Sequence, residues 1–330
     1  MEANVLRFVA PYRVEIQRVE VRPPEAGEVL VRTRWSGISG GTELLAYRGE
    51  LDPDLALDET FSSLGGSFRY PFAYGYSCVG EVERSRIDGL EEGATVFAFH
   101  PHQDRFTVDA AEVLRLDAVD GRVATLFPLV ETALQVCLDA GLHLEEPVVV
   151  LGLGPVGLVS AALMQRAGAN VVGVDPRDDR RAAAAAFGIR VLDVPQTRAD
   201  VEATTSGAGV PLVVDATGTP SALPLALELL GHEGEALVCS WYGTREVPLP
   251  LGGAFHRRRL RIRSTQVSTI PARLAGRWDV PRRRRAAARL MTELPLKLLA
   301  THEVPFERAA EAYAALDRGD DGVMHVALSF

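Results

Sequence analysis

Cysteine is scarce in this 330-residue chain. Cys78, Cys137 and Cys239 stand far apart with no C-x-x-C pair, which excludes a disulfide framework. No apolar run reaches membrane-spanning length and no secretory leader is evident at the amino terminus. Internal repeats and low-complexity segments are missing as well. These absences set the expectation of a reduced, soluble, cytoplasmic protein without a membrane partner. Positive charge is in short supply: a formal net charge of -9 argues against a nucleic-acid partner. The arginine runs at 257–259 and 282–285 are expected to be solvated faces rather than phosphate patches. The length leaves room for two domains of ordinary size.

What the chain does have is one informative stretch. Pro147-Val148-Val149-Val150-Leu151 runs into Gly152-Leu153-Gly154-Pro155-Val156-Gly157, and an apolar helix follows without a break. This is a strand, a Gly-x-Gly-x-x-Gly turn and a helix. Gly152 permits the tight turn, Gly154 admits a pyrophosphate to the backbone, and Gly157 lets helix and strand approach. The helix N-terminus supplies unpaired N–H groups and a favourable dipole for phosphate. A second strand, 169–174, ends in Asp175, whose carboxylate is placed to take ribose hydroxyls. The context makes this a dinucleotide-binding unit.

Around it the chain changes period. Residues 1–35 alternate as strands punctuated by Pro23, Pro24 and Gly27, and further strands are expected at 74–82 and 93–100. Ser36 to Leu44 reads as a glycine-rich turn opening a short helix capped by Ser39 or Thr42. Residues 50–70 read as an irregular acidic surface loop over a site. From Val123 to Ala140 a helix is predicted, and beyond it helices and strands alternate as in a parallel doubly wound sheet. A last helix at 307–316 and strand at 323–328 return to the first domain.

This arrangement resembles the medium-chain dehydrogenase/reductase superfamily over essentially the whole chain. The resemblance rests on Gly37-Ile38-Ser39-Gly40-Gly41-Thr42-Glu43, Gly75-Tyr76-Ser77-Cys78-Val79-Gly80-Glu81-Val82, the glycine turn, Asp215-Ala216-Thr217-Gly218, Trp241-Tyr242-Gly243 and 306–313. The first of these is similar to the branch containing bacteriochlorophyllide 2-hydroxyethyl dehydrogenase; 99–103 and 264–267 are similar to members labelled zinc-binding alcohol dehydrogenases. The resemblance implies an α/β protein: a GroES-like β-rich catalytic domain over 1–130 and 268–330, and a Rossmann domain over 131–267. It also implies a homodimer joined at the Rossmann sheet edge. The zinc label does not suit the residues. Where zinc-dependent relatives carry Cys, His and Cys or Glu, this chain has Ser39, Tyr76 and Phe127, so a zinc-free enzyme is expected. The rival is a new metal site built from His100, His102 and Asp104.

Without a metal, the protein must supply a donor to the substrate oxygen and a proton path. Tyr76 stands as that donor or as a packing residue; Ser39 as a polar neighbour or a helix cap; Glu43 as a structural acceptor or a catalytic acid. His102 is the leading acid–base candidate, against a role in fastening a loop, and His100 the next. The remaining histidines, His325 among them, are expected at the surface or at element ends. Cofactor contacts are expected from Thr132, Gly152, Gly154, Pro155, Val156, Gly157, Asp175, Arg180, Ala216, Thr217, Gly218, Ser240, Trp241 and Tyr242. Asp175 favours NAD over NADP, with Arg177, Arg180 and Arg181 the argument for NADP. The expected function is hydride transfer between nicotinamide and a secondary alcohol or ketone, on a cyclic or secondary-metabolite substrate. The alternatives are a zinc-free enoyl or quinone reductase and a catalytically silent nucleotide-binding protein.

Overall fold

Residues 1–61, 63–116 and 118–330 are described by a computed structural model. Strand β1 (Glu2–Ala10) is buried on both faces, Ala3 and Val5 on one and Leu6 and Phe8 on the other, and β2 (Arg13–Glu20) pairs with it antiparallel. There follow β3 (Glu28–Ile38), α1 (Gly40–Arg48), β4 (Phe72–Ala73), β5 (Cys78–Ser85), β6 (Thr95–Ala98), β7 (Arg105–Asp109) and β8 (Val113–Arg115). The helix expected over Val123–Ala140 is divided into α2 (Gly121–Ala124) and α3 (Phe127–Ala140). Pro128 explains the break, since it lacks an N–H and fits only a first turn.

Next come β9 (Pro147–Leu151), α4 (Pro155–Arg166), β10 (Asn170–Val174), α5 (Asp178–Ala186), β11 (Arg190–Leu192), α6 (Val194–Thr204), β12 (Val210–Asp215), α7 (Ala222–Leu229), β13 (Leu230–Val238) and β14 (Arg261–Ser264). The chain closes with α8 (Val280–Glu293), β15 (His302–Pro305), α9 (Ala309–Arg318) and β16 (Val326–Ser329). Two compact units result: Met1–Pro128 with Ala288–Phe330, and Leu129–Ala287. The sequence-based boundary at 268 falls earlier than the observed one. Residues 268–287 stay with the second unit because Arg273 donates to the Asp139 carbonyl (2.8 Å) and Arg283 to Glu131 (3.0 Å).

In the first unit β3 is the hub, antiparallel to β5, β7 and β16, while β15 adds parallel to β16. Its core joins Leu6, Phe8, Ile38 and Phe72 to Phe306, Tyr313 and Leu328 of the carboxyl-terminal return. The segment 50–70 is irregular, as expected, yet it is no purely superficial loop: Leu57, Leu64 and Phe68 are buried in that core. In the second unit six parallel strands take the order β11-β10-β9-β12-β13-β14. Strand order reverses between β9 and β12, and ligands of such sheets bind beyond the strand ends at that point. Among the described residues no helix is long and apolar enough to cross a membrane.

Candidate active site

The glycine turn sits at that reversal. Gly152 has φ of +87°, and a Cβ there would lie 2.7 Å from the Ala216 carbonyl oxygen, so a side chain is refused on both counts. A Cβ at Gly157 would overlap the Gly152 carbonyl, which is how α4 packs so close to β9. Gly154 differs, since a Cβ there meets nothing within 4 Å. It caps α4 with no side-chain bond, Pro155 follows at the first helical position, and the opening N–H groups stay available to an anion. An open, uncapped helix start suits the charge of a pyrophosphate, so the residues fit a dinucleotide.

Asp175 stands beside the glycine turn at the end of β10. It is buried, accepting from the Leu153 N–H (2.8 Å) through Oδ2 and from the Arg177 N–H (2.9 Å) through Oδ1. Each oxygen keeps a lone pair for a ribose hydroxyl. The nearby arginines are engaged with protein groups: Arg177 forks onto Asp179 (3.0 and 2.8 Å), and Arg181 donates to the Asp175 carbonyl (2.6 Å). Burial, then the neighbouring Arg177 charge, lowers the Arg180 guanidinium below its ordinary value.

Asp215, at the end of β12, has no exposed surface and gathers the next loops. Its Oδ1 accepts from the Thr217 N–H (2.9 Å), the Thr217 hydroxyl (2.8 Å) and the Ser240 hydroxyl (2.9 Å), while Oδ2 accepts from the Tyr242 phenol. Burial and that carboxylate raise Tyr242 far above the ordinary phenol range, so it remains a donor. Gly218 N–H in turn donates to Ser240 Oγ (2.8 Å). Thr217, Ser240 and Tyr242 are therefore brought together on one carboxylate, with Gly218 tied to Ser240 and Ala216 donating to the Leu151 carbonyl (2.8 Å). Trp241 is exposed beside them, and Thr132 lies half-buried on α3.

In the first unit, Ser39 and Tyr76 meet: the Tyr76 phenol donates to Ser39 Oγ at 2.5 Å. Ser39 occupies the N-cap position of α1 without a side-chain capping bond, so its hydroxyl serves Tyr76 rather than the helix. Burial, reinforced by the Glu43 charge, pushes the Tyr76 phenol up to about 12. Phe127 is fully buried against Phe97 at 4.9 Å. Zinc takes thiolate, imidazole or carboxylate donors. A neutral phenol, a serine hydroxyl and a phenyl ring do not fit it.

His102 takes a different place from the one its sequence suggested. No part of it is exposed; Nδ1 meets Ser36 Oγ at 2.5 Å and Nε2 meets Glu43 Oε2 at 2.8 Å. An imidazole enclosed in this way reaches a substrate only through other groups. Glu43 is equally enclosed: Oε1 accepts the Ser39 N–H (2.8 Å), and Oε2 also accepts the Tyr313 phenol. Gly75 permits this packing, because a Cβ on it would lie 2.6 Å from His102 Nε2. His100 turns away to stack on Phe106 at 3.8 Å, and burial lowers it to about 4. Asp104 receives the Asn4 N–H (2.9 Å) and side-chain amide (2.8 Å). The three members of the rival metal site thus have separate partners. Among the described residues no group of three or more His, Cys, Asp or Glu is placed to hold a metal.

Two sequence-based expectations are corrected. Arg283, assigned to a solvated face, is 2% exposed and bonds Glu131 (3.0 Å) and Gln135 (2.5 Å). His325, expected at the surface or at an element end, directly precedes β16 but is 2% exposed with Nε2 on Thr125 Oγ1 (2.8 Å). The partners that sequence reasoning missed are Ser36 and Tyr313. Only the Phe-Glu-Arg-Ala-Ala-Glu-Ala-Tyr stretch hinted at the latter, without a role for its tyrosine.

A parallel sheet with this strand order, a glycine turn at its reversal and a buried carboxylate beyond it make a dinucleotide-binding fold, and the similarities that follow support a nicotinamide-dependent dehydrogenase or reductase. Over nearly its whole length the chain is similar to members of the medium-chain dehydrogenase/reductase superfamily. Residues 155–279 match the family described as "Zinc-binding dehydrogenase". The chain is 29% identical over 331 residues to 2-desacetyl-2-hydroxyethyl bacteriochlorophyllide A dehydrogenase of Rhodobacter capsulatus, covering 95% of this chain and 94% of the relative. It is 25% identical over 349 residues to L-galactonate-5-dehydrogenase of Escherichia coli, covering 94% of each. Among solved structures, alcohol dehydrogenase TADH from Thermus sp. ATN1 shares the fold with a TM-score of 0.75 at 21% identity, covering 99% of both chains.

Proposed function

We propose that this protein is a zinc-independent, NAD-preferring oxidoreductase that interconverts a secondary alcohol and its ketone. The observation that carries the reading is the Tyr76–Ser39 hydroxyl pair, standing where zinc-dependent relatives keep ligands. Similarity to dehydrogenases of a hydroxyethyl bacteriochlorophyllide and of L-galactonate supports an alcohol substrate on a larger molecule. The bound nicotinamide supplies hydride transfer. In the second unit, the glycine cradle, Asp175, Thr132, Arg180 and the loops gathered by Asp215 bind and orient that cofactor. In the first unit, Tyr76 and Ser39 hold the substrate oxygen.

The phenol at about 12 fixes how Tyr76 acts. At neutral pH it stays loaded with its proton, so it donates to a ketone oxygen and yields that proton as alkoxide character develops. Alcohol oxidation by the same pair needs the Tyr76 phenolate, which is scarce at neutral pH, so that direction should speed up as pH rises. Asp175 favours NAD because its carboxylate repels a 2′-phosphate, while Arg177 and Arg181 are held by acidic and carbonyl groups. The assembly carried by this reading is a homodimer joined along β14, checked by light scattering. NADH and NADPH oxidation against a panel of ketones, enones and quinones tests the whole. Turnover of ketones with NADH is expected. Turnover confined to enones or quinones replaces this reading with conjugated C=C reduction.

A further inference from the structure

The first unit's polar cluster contains two residues that no expectation assigned. Tyr313 lies on α9, returned from the carboxyl-terminal end of the chain, with no exposed surface. Its ring is fixed edge-on to Phe8 (5.3 Å) and stacked with Tyr47 (5.4 Å), and its phenol donates to Glu43 Oε2. Burial, the Glu43 charge and that hydrogen bond raise the phenol well above its ordinary value, so it stays a donor. His102 Nε2 reaches the same Oε2, and the imidazole is held from behind by Ser36 Oγ. Two donors thus pin Oε2, which leaves Oε1 one orientation. Oε1 is the acceptor of the Ser39 backbone N–H, and the Ser39 hydroxyl receives Tyr76.

We propose that Tyr313 and Ser36 are positioning residues: through the Glu43–His102 pair they fix the Ser39 backbone, and so aim the Ser39–Tyr76 hydroxyl pair at the substrate oxygen. The proposal rests on the zinc-independent reading of that pair. Angular misplacement of a donor costs rate because only the aligned hydrogen bond strengthens as charge develops. Phenylalanine at 313 keeps the ring contacts with Phe8 and Tyr47 and deletes only the hydroxyl.

The test is a set of double-mutant cycles. Tyr313→Phe and Ser36→Ala are each made alone and with Tyr76→Phe, and kcat for ketone reduction is measured beside NADH affinity and Tm. Tyr313→Phe is expected to lower kcat roughly tenfold with NADH affinity unchanged. Ser36→Ala is expected to act in the same direction and less strongly. Both losses should disappear in the Tyr76→Phe background, because the aimed group is then gone. A purely structural role would instead lower Tm and multiply with Tyr76→Phe, and either that result or an unchanged kcat overturns the proposal. If Tyr313→Phe fails to fold, the Ser36→Ala cycle decides by the same criteria. A Tyr76→Phe variant with normal kcat would sink the site reading and this inference together. An impaired Tyr76→Phe beside a normal Tyr313→Phe would sink the inference alone.

Discussion

Glu43 and Asp215 are both carboxylates with no exposed surface, and each is surrounded by donors, yet they recruit those donors from different distances. Asp215 takes its partners from positions 2, 25 and 27 residues along the chain, at the ends of neighbouring parallel strands. Glu43 takes one from 4 residues away, and the others from 59 and 270 residues away. The first cluster is a local product of strand order in the Rossmann unit. The second exists only after the carboxyl-terminal helix α9 has returned. A buried carboxylate is tolerated in either case because its lone pairs are met by hydrogen bonds. The Asp215 cluster is thus assembled from neighbouring strands, and the Glu43 cluster by long-range closure.

The largest expected effect falls on the long-range side. Tyr76→Phe should lower turnover by about 10²–10³ with NADH affinity unchanged, since it removes a donor that acts in the transition state. Stopped-flow hydride transfer beside an NADH titration checks it. Asp215→Asn should show the opposite pattern, weakening NADH by roughly tenfold to a hundredfold as one or two of its donors lose their acceptor. The same titration, with Tm alongside, distinguishes a disturbed loop from a collapsed unit. Asp175→Ala should cost NADH roughly tenfold while NADPH affinity holds or improves, because one charge-assisted ribose contact and one repulsion vanish together.

A smaller effect separates the units by pH. Burial lowers His325 and His100 of the first unit from 6.5 to about 4. Between those values the unfolded chain binds protons that the folded chain refuses, so stability is whole above about 6.5 and declines as pH falls toward 4. Urea midpoints measured at pH 7.5 and pH 5 should move down together with loss of first-unit structure in hydrogen exchange. An unchanged midpoint would contradict the burial of these rings.

The same contrast explains what could be read in the sequence. The strand–glycine turn–helix and the strand-end positions of Asp175 and Asp215 were legible because each is a short segment set by local backbone geometry. Ser39 and Tyr76 were legible one at a time. Their mutual hydrogen bond was not, and neither was the enclosure of His102. Imidazole chemistry made His102 look like an acid–base group, whereas Ser36, Gly75 and Glu43 close around it from three separate segments. Arg283 was misjudged for a related reason. Its run of arginines resembles a solvated face, but an amphipathic helix hides one member of any such run, and Glu131 and Gln135 of α3 are waiting for it.

The most direct test of the account is ketone-reduction turnover before and after exhaustive chelation, with zinc quantified in both samples. The account predicts substoichiometric zinc throughout and turnover untouched by the chelator. Stoichiometric zinc, with turnover that collapses on stripping and returns when zinc is restored, would contradict it.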